Sequence, residues 1–358
     1  MKKIILATTL CLIISLSLIT IGNAALPGPG WWTFYQFQNI DSSTGNIIMT
    51  AYDKNSSTTY TGGPFSLASG AALAYNPGLS PNYPSGDRVG FSPDLPSGFE
   101  GSVVLSSDKQ IIAVAQIGNN TVGTVGSGGN ATAFYQASGS NFTDNILYFP
   151  TVKNNFQSQT TNFYIQAAGA DANVTITYTM NDGSVYTQNT TIPANRMFSF
   201  DPNNAGVPSG STANPASNPS LGAAKVESTT GKIAGVVVEY PTVGSPAPYV
   251  LSTRALVSSD IDTTLIAPTI KNNFNGGTTG LSVQNTGSSE ALVQIDLIVT
   301  NATNASLIGN SYSNQVTIPA GGSVVFSAFR NNLGGLPTGT FASATITSID
   351  DATHDPQP

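Results

Sequence analysis

The chain repeats itself, and this limits what it can fold into more than any other feature. PTVKNNF at 150–156 returns as PTIKNNF at 268–274. FYQFQNIDSSTGNIIMTAYD begins at Phe34, FYIQAAGADANVTITYTM at Phe163 and LSVQNTGSSEALVQIDLIV at Leu281. Each reads as a strand ending in glutamine, a short glycine-containing turn and a second strand. The glutamines are Gln38, Gln166 and Gln284, 128 and 118 residues apart. TIPANRMFSF at 191–200 answers TIPAGGSVVFSA at 317–328. LPSGFEGSVVLSS at 95–107 answers LPTGTFASATITS at 336–348, and QIIAVAQ at 110–116 answers KIAGVVVEY at 232–240. Anchors that keep their order and spacing mark the tandem duplication of one unit.

Within a copy the period is two. In NVTITYTM, Val174, Ile176, Tyr178 and Met180 share one face, with threonines opposite. Ala291, Val293, Ile295, Leu297 and Val299 do the same in the third copy. Such alternation gives a half-buried strand. KIAGVVVEY is apolar on both faces and is expected at the centre of a sheet. The second copy reads as strands near 148–153, 162–168, 173–180, 184–192, 196–200, 223–228 and 232–240, split by Gly, Asn and Pro turns. The expected fold is all-β, a tandem array of three immunoglobulin-like β-sandwich domains, the third lacking its last strand. The expected boundaries are a leader at 1–24 and repeats at 25–144, 145–262 and 263–358, the last with an acidic tail. The PTxKNNF phrase is then the opening strand and turn of copies two and three. Pro150 and Pro268 suit an edge strand, Lys153 and Lys271 discourage edge pairing, and the Asn pairs suit positive φ.

The succession of strand, QN, turn, strand, IPA, LPxGFxGS and an IAxV strand resembles uncharacterised tandem repeats of secreted and cell-surface bacterial proteins. The likeness spans nearly all of the chain after the leader. Copy two departs from it, with IQAAGA in place of VQNTGS and no LPxG phrase. The resemblance implies an extracellular, non-enzymatic β-sandwich array, and it brings no catalytic residues with it.

The amino terminus agrees with export. Lys2 and Lys3 precede an apolar run from Ile4 to Ile21, then small residues at Gly22 and Ala24. That is the layout of a secretory signal peptide, with an uncleaved anchor as the rival. Cys11 is the only cysteine and lies in this run, so the remainder folds without disulfides. Thr9 and Leu10 before it do not suit lipidation. LPTGT at 336–340 is one residue short of a sortase signal. Without Lys2 and Lys3 the chain carries 10 basic and 19 acidic residues, a net charge of −9. No basic stripe appears, which argues against nucleic-acid binding. No membrane contact is expected once the leader is removed.

Chemistry is sparse. His354 is the only histidine and sits in the tail DDATHDPQP, so no Ser-His-Asp triad can be assembled around it. Asp350, Asp351 and Asp355 flank it as a flexible acidic end, without the rigid surroundings a metal site needs. VGTVGSGGN at 122–130 is glycine-rich, but no helix follows to receive a phosphate. No enzyme, cofactor or metal motif is present. In the first copy Tyr83, Asp87, Phe91, Phe99 and Glu100 lie in one long loop segment that also holds Asp94, and could grip a polysaccharide. Their alternative is a surface loop tucked onto the sandwich. Asn55, Asn119, Asn130, Asn141, Asn173, Asn189, Asn301 and Asn304 head N-x-S/T sequons.

The repeats are ragged at both ends. Copy one has no PTxKNNF strand and copy three has no IAxV strand. Two accounts stand side by side: a chain that stops early, or a strand supplied by another chain. The second makes the protein a self-associating subunit of an extracellular filament, sheath or surface coat, in contact with its own copies or other cell-surface components. Trp31, Trp32 and Phe34 would then be interface anchors. The alternative function is an adhesin or carbohydrate-binding module that uses the aromatic loop.

Overall fold

The structure, a computed structural model, describes residue 26 and residues 30–76, 88–119, 131–210, 217–242 and 249–349. The leader at 1–24, Tyr83, Asp87, the stretch 122–130 with Asn130, and the tail with His354 lie outside the described residues.

The described chain is all-β, with 22 strands in six sheets and a few single-turn 3-10 segments. β1 (Trp31–Asn39), β2 (Gly45–Asp53), β3 (Thr59–Leu67), β4 (Ala72–Tyr75), β5 (Arg88–Val89), β6 (Gly101–Ser107), β7 (Ile111–Asn119) and β8 (Ala131–Gln136) come first. They form sheets β5-β4-β1-β7-β8 and β3-β2-β6. Next come β9 (Ile146–Lys153), β10 (Gln159–Ala167), β11 (Ala172–Met180), β12 (Val185–Ile192), β13 (Met197–Phe200), β14 (Leu221–Ser228), β15 (Ile233–Pro241) and β16 (Leu251–Arg254). Their sheets are β13-β10-β15-β16 and β12-β11-β14-β9. The last group is β17 (Thr264–Asn272), β18 (Gly280–Gln284), β19 (Ala291–Ala302), β20 (Ser311–Ile318), β21 (Ser323–Ser327) and β22 (Thr340–Ile349). It forms β17-β22-β19-β20 and the two-stranded β18-β21. All strand pairings are antiparallel except β4 with β5.

Each pair of sheets closes on its own apolar cluster, built from alternate residues of both layers. Phe37, Ile47, Met49 and Leu67 fill the first, Phe149, Phe163, Ile176 and Phe200 the second, and Ile270, Ile295, Leu297 and Phe326 the third. The period-two reading of β11 and β19 holds: Val174, Ile176, Tyr178 and Met180 are buried, as are Val293, Ile295, Leu297 and Val299. β15 is a central strand, as its two apolar faces require.

The pairs are copies in register as well as in sequence. The same hairpin opens on Gly45 opposite Leu67, Ala172 opposite Ile192 and Ala291 opposite Ile318. β1, β10 and β18 therefore correspond, as do β4, β13 and β21. Among the described residues the first pair has no counterpart of β9 and β17. The third has none of β15 and β16.

The repeated heptapeptide is structural. β9 and β17 are sheet edges, and the ladder shifts register at Pro150 and at Pro268. Asn155 and Asn273 take φ of 55° and 49°, a conformation asparagine tolerates. The Asn154 side chain donates to the Val207 carbonyl at 2.6 Å, and Asn272 donates to Leu336 at 2.7 Å. Val207 thus does for the second copy what the leucine of the LPxG phrase does for the third.

The shared glutamine has one job in all three copies. Its side-chain amide donates to a turn carbonyl of the facing strand connection: Gln38 to Gly70 at 2.9 Å, Gln166 to Asn195 at 3.0 Å, and Gln284 to Gly321 at 3.4 Å. The asparagine that follows closes the hairpin. Asn39 Nδ2 donates to Ser43 and Leu67 carbonyls, and Asn285 Nδ2 to Ser289 and Ile318. Their Oδ1 atoms also accept from the amides of Asp41 and Gly287; copy two has Ala167 instead, and there Asn195 Oδ1 accepts from the matching Gly169 amide at 3.0 Å. Removing the buried Asn39 amide takes away the bonds that tie Ser43 and Leu67 together, which costs about 1–3 kcal/mol. Asn39→Ala is expected to destabilise the first pair by about 1–3 kcal/mol, read as a lowered urea midpoint. Ala167 is fully buried in the second core and makes no such bond, so Ala167→Ser is expected to cost about 1–3 kcal/mol by burying a hydroxyl without a partner.

Candidate assembly surface

The residues singled out from sequence are placed as follows. Phe91 is buried in the first core and packs edge-on against Tyr75 at 5.1 Å. Phe99 packs on Tyr60, and Glu100 pairs with Lys54 at 2.9 Å. The described part of the aromatic loop is therefore tucked onto its own sheets and does not gather into a ligand surface. Among the sequons, Asn55, Asn141, Asn173, Asn189, Asn301 and Asn304 are exposed. Asn119 is fully buried in β7 and offers no acceptor nitrogen to solvent. Trp31 is engaged within the chain, edge-on to Tyr240 with ring centroids 6.2 Å apart. Trp32 and Phe34 are half-buried in the same strand.

Trp31 belongs to a junction that sequence alone did not reveal. Ala131, Ala133, Val238, Tyr240 and Val250 are buried there, with Leu26, Ile117, Tyr164 and Val236 packed around them. The cluster lies between β1, β7 and β8 of the first pair and the outer face of β10, β15 and β16. Burial raises the pKa of the Tyr164 and Tyr240 phenols, so both stay neutral.

The place where the turn meets the preceding pair recurs at the next junction, with different bonds. The Asn195 side chain lies 3.4 Å from the Tyr52 hydroxyl, and Ser102 Oγ donates to the Asn195 carbonyl at 2.6 Å. At the next junction Gly321 replaces Asn195 and sits against Thr179, the counterpart of Tyr52. Gln284 reaches the Ala224 carbonyl at 3.3 Å, and Thr151 Oγ1 donates to Ser282 Oγ at 2.7 Å. Arg330 stacks 5.3 Å over Phe156, and partial burial lowers its pKa from the ordinary value. The turns held by Gln166 and Gln284 are thus the parts that touch the preceding pair. The signal was present in sequence as TIPAN and TIPAG, but nothing in it said what the turn faced.

The third pair is open where the second is closed. In the second, β15 pairs β10 along nine residues and covers β9. In the third, β18 pairs β21, and its other edge has no partner among the described residues. The exposure of matched side chains reports the loss. Leu147 is 0% exposed, and Leu265, its equivalent, is 38% exposed. Tyr148 is 8% exposed and Ile266 is 78% exposed. Lys153 pairs with Glu239 of β15 at 2.6 Å. Lys271, its equivalent, makes no ion pair among the described residues and lies 5.9 Å over the Phe341 ring.

No group of three or more His, Cys, Asp or Glu side chains that could hold a metal occurs among the described residues. None of their helical segments is long and apolar enough to cross a membrane. What the surface offers is sheet edges and apolar strips. Its asymmetry is measurable. Leu147→Ala is expected to cost about 2–5 kcal/mol of stability, as for a fully buried leucine. Leu265→Ala is expected to cost less than about 1 kcal/mol. Urea unfolding of the two variants checks the difference.

No family model and no curated protein matches the chain. Among solved structures, the oxalate decarboxylase–formate complex of Lactobacillus farciminis is similar at 10% identity, over 67% of this chain and 73% of that one, with a TM-score of 0.14. A score that low carries no argument about fold or function.

Proposed function

We propose that the chain is an extracellular structural protein: a tandem array of three immunoglobulin-like sandwiches that serves as a subunit of a filament, sheath or surface coat. One observation carries this reading. Successive sheet pairs meet through the same glutamine-held turn, Asn195 on Tyr52 and Gly321 on Thr179. A contact used twice by equivalent residues is a stacking rule, and stacked repeats suit load-bearing or spacing roles. The leader-like amino terminus supports an extracellular setting for such an array. The sparse charge, and the lack of converging ionisable groups among the described residues, fit a part that touches other parts and turns over no substrate.

The ends of the array extend the reading. Gly70, the first copy's version of the docking turn, is exposed, and so is Ile298, the third copy's version of Tyr52 and Thr179. Head-to-tail contact need not close on itself, and where it stays open it gives filaments. Sedimentation of the full purified chain over a hundredfold concentration range tests the reading, with electron microscopy of the densest fraction. Mass that grows with concentration, and elongated particles, are expected. A monomer at every concentration would refute it.

A further inference from the structure

We propose that the open edge of β18, with β17 beside it, is an acceptor groove for one extended strand of a separate polypeptide. That strand is apolar on alternate residues and carries a carboxylate placed to meet Lys271. This deepens the structural reading above by naming what completes the third sandwich.

The second pair supplies the template. β15 runs antiparallel to β10, from Ala167 opposite Ile233 to Gln159 opposite Pro241. Ile233, Gly235, Val237 and Glu239 alternate along it. Ile233 is buried in the core, Val237 packs against the core, and Glu239 pairs with Lys153. A Cβ on Gly235 would lie within 3.0 Å of Phe149, Ile165 and Leu147, so this strand must be bare there.

The third pair keeps the receiving half of this arrangement and has no donor among the described residues. β18 offers a free row of backbone donors and acceptors, the condition for strand addition. Leu265 of β17 is exposed where Leu147, packed against Gly235 of β15, is covered. Lys271 occupies the position of Lys153 without a carboxylate partner among the described residues. The acceptor is also roomier. Ala267 stands for Phe149, Leu281 for Phe163 and Val283 for Ile165. The incoming strand therefore has a side chain where β15 has glycine, and its acid falls opposite Thr279, the counterpart of Thr161. The tail at 350–358 has three aspartates, two prolines and no alternating apolar run, so its sequence does not answer this description.

The probe is a fluorescein-labelled nonapeptide of residues 232–240 carrying Gly235→Val, titrated with the full chain and followed by anisotropy. Saturable one-to-one binding is expected, weakened about tenfold or more when the peptide also carries Glu239→Lys. Lys271→Glu in the chain is expected to reverse that preference. Lys271→Met, which keeps the stem, is expected to abolish it while binding persists. No saturable binding, or equal binding of both peptides by wild type, overturns the proposal. So does a chain that is already a stable dimer and excludes the peptide, which would give the groove to a second copy. Charge-selective binding by a chain that stays monomeric supports the groove while the filament reading fails.

Discussion

Each strand in this molecule must hide one column of side chains and find partners for the backbone groups along both of its edges. The first demand is met by facing a second sheet, the second by a neighbouring strand or by water. Leu147 and Leu265 show what happens when these demands are met and when they are not. The two leucines occupy the same place in the same phrase. One is sealed by β15, and the other stands at the margin of a pair that has no such strand among the described residues. With no cysteine beyond Cys11, burial of this kind is what holds the three pairs together.

The same constraint links the hairpin turns to the junctions. A side-chain amide from Gln38, Gln166 or Gln284 ties down a turn that would otherwise be free to move. Once tied, the turn becomes a rigid knob that the preceding pair can meet, through Tyr52 and Ser102 in one case and Thr179 in the next. Copy two shows that the requirement is for a closed turn and not for a given residue. It lacks the hairpin asparagine and recovers one of its bonds from Asn195, the residue that also makes the junction.

Much of this was legible in the amino-acid sequence because it depends on local pattern. The alternation in NVTITYTM and ALVQIDLIV set the buried faces of β11 and β19, and the two-faced apolarity of KIAGVVVEY set β15 at a sheet centre. The ragged anchors agree with the strands that the first and third pairs lack among the described residues. Other features depend on what folded units show one another, and no local pattern encodes that. Trp31 looked like an exposed anchor and instead meets Tyr240, more than 200 residues away in the chain. Phe91 and Phe99 sat in a segment rich in turn residues, which says loop but not which way the rings point. β16 is four residues long with no apolar alternation, too little signal to be read before its neighbour β15 was seen to need a partner.

The central claim is that β18 of the third pair has, among the described residues, an unpaired edge where its counterpart β10 is paired by β15. Hydrogen–deuterium exchange of the full chain, resolved to β10 and β18, measures this directly. Amides of Gly280–Gln284 directed away from β21 are predicted to exchange far faster than those of Asn162–Gln166 directed toward β15. Equal, slow exchange in both strands would contradict it.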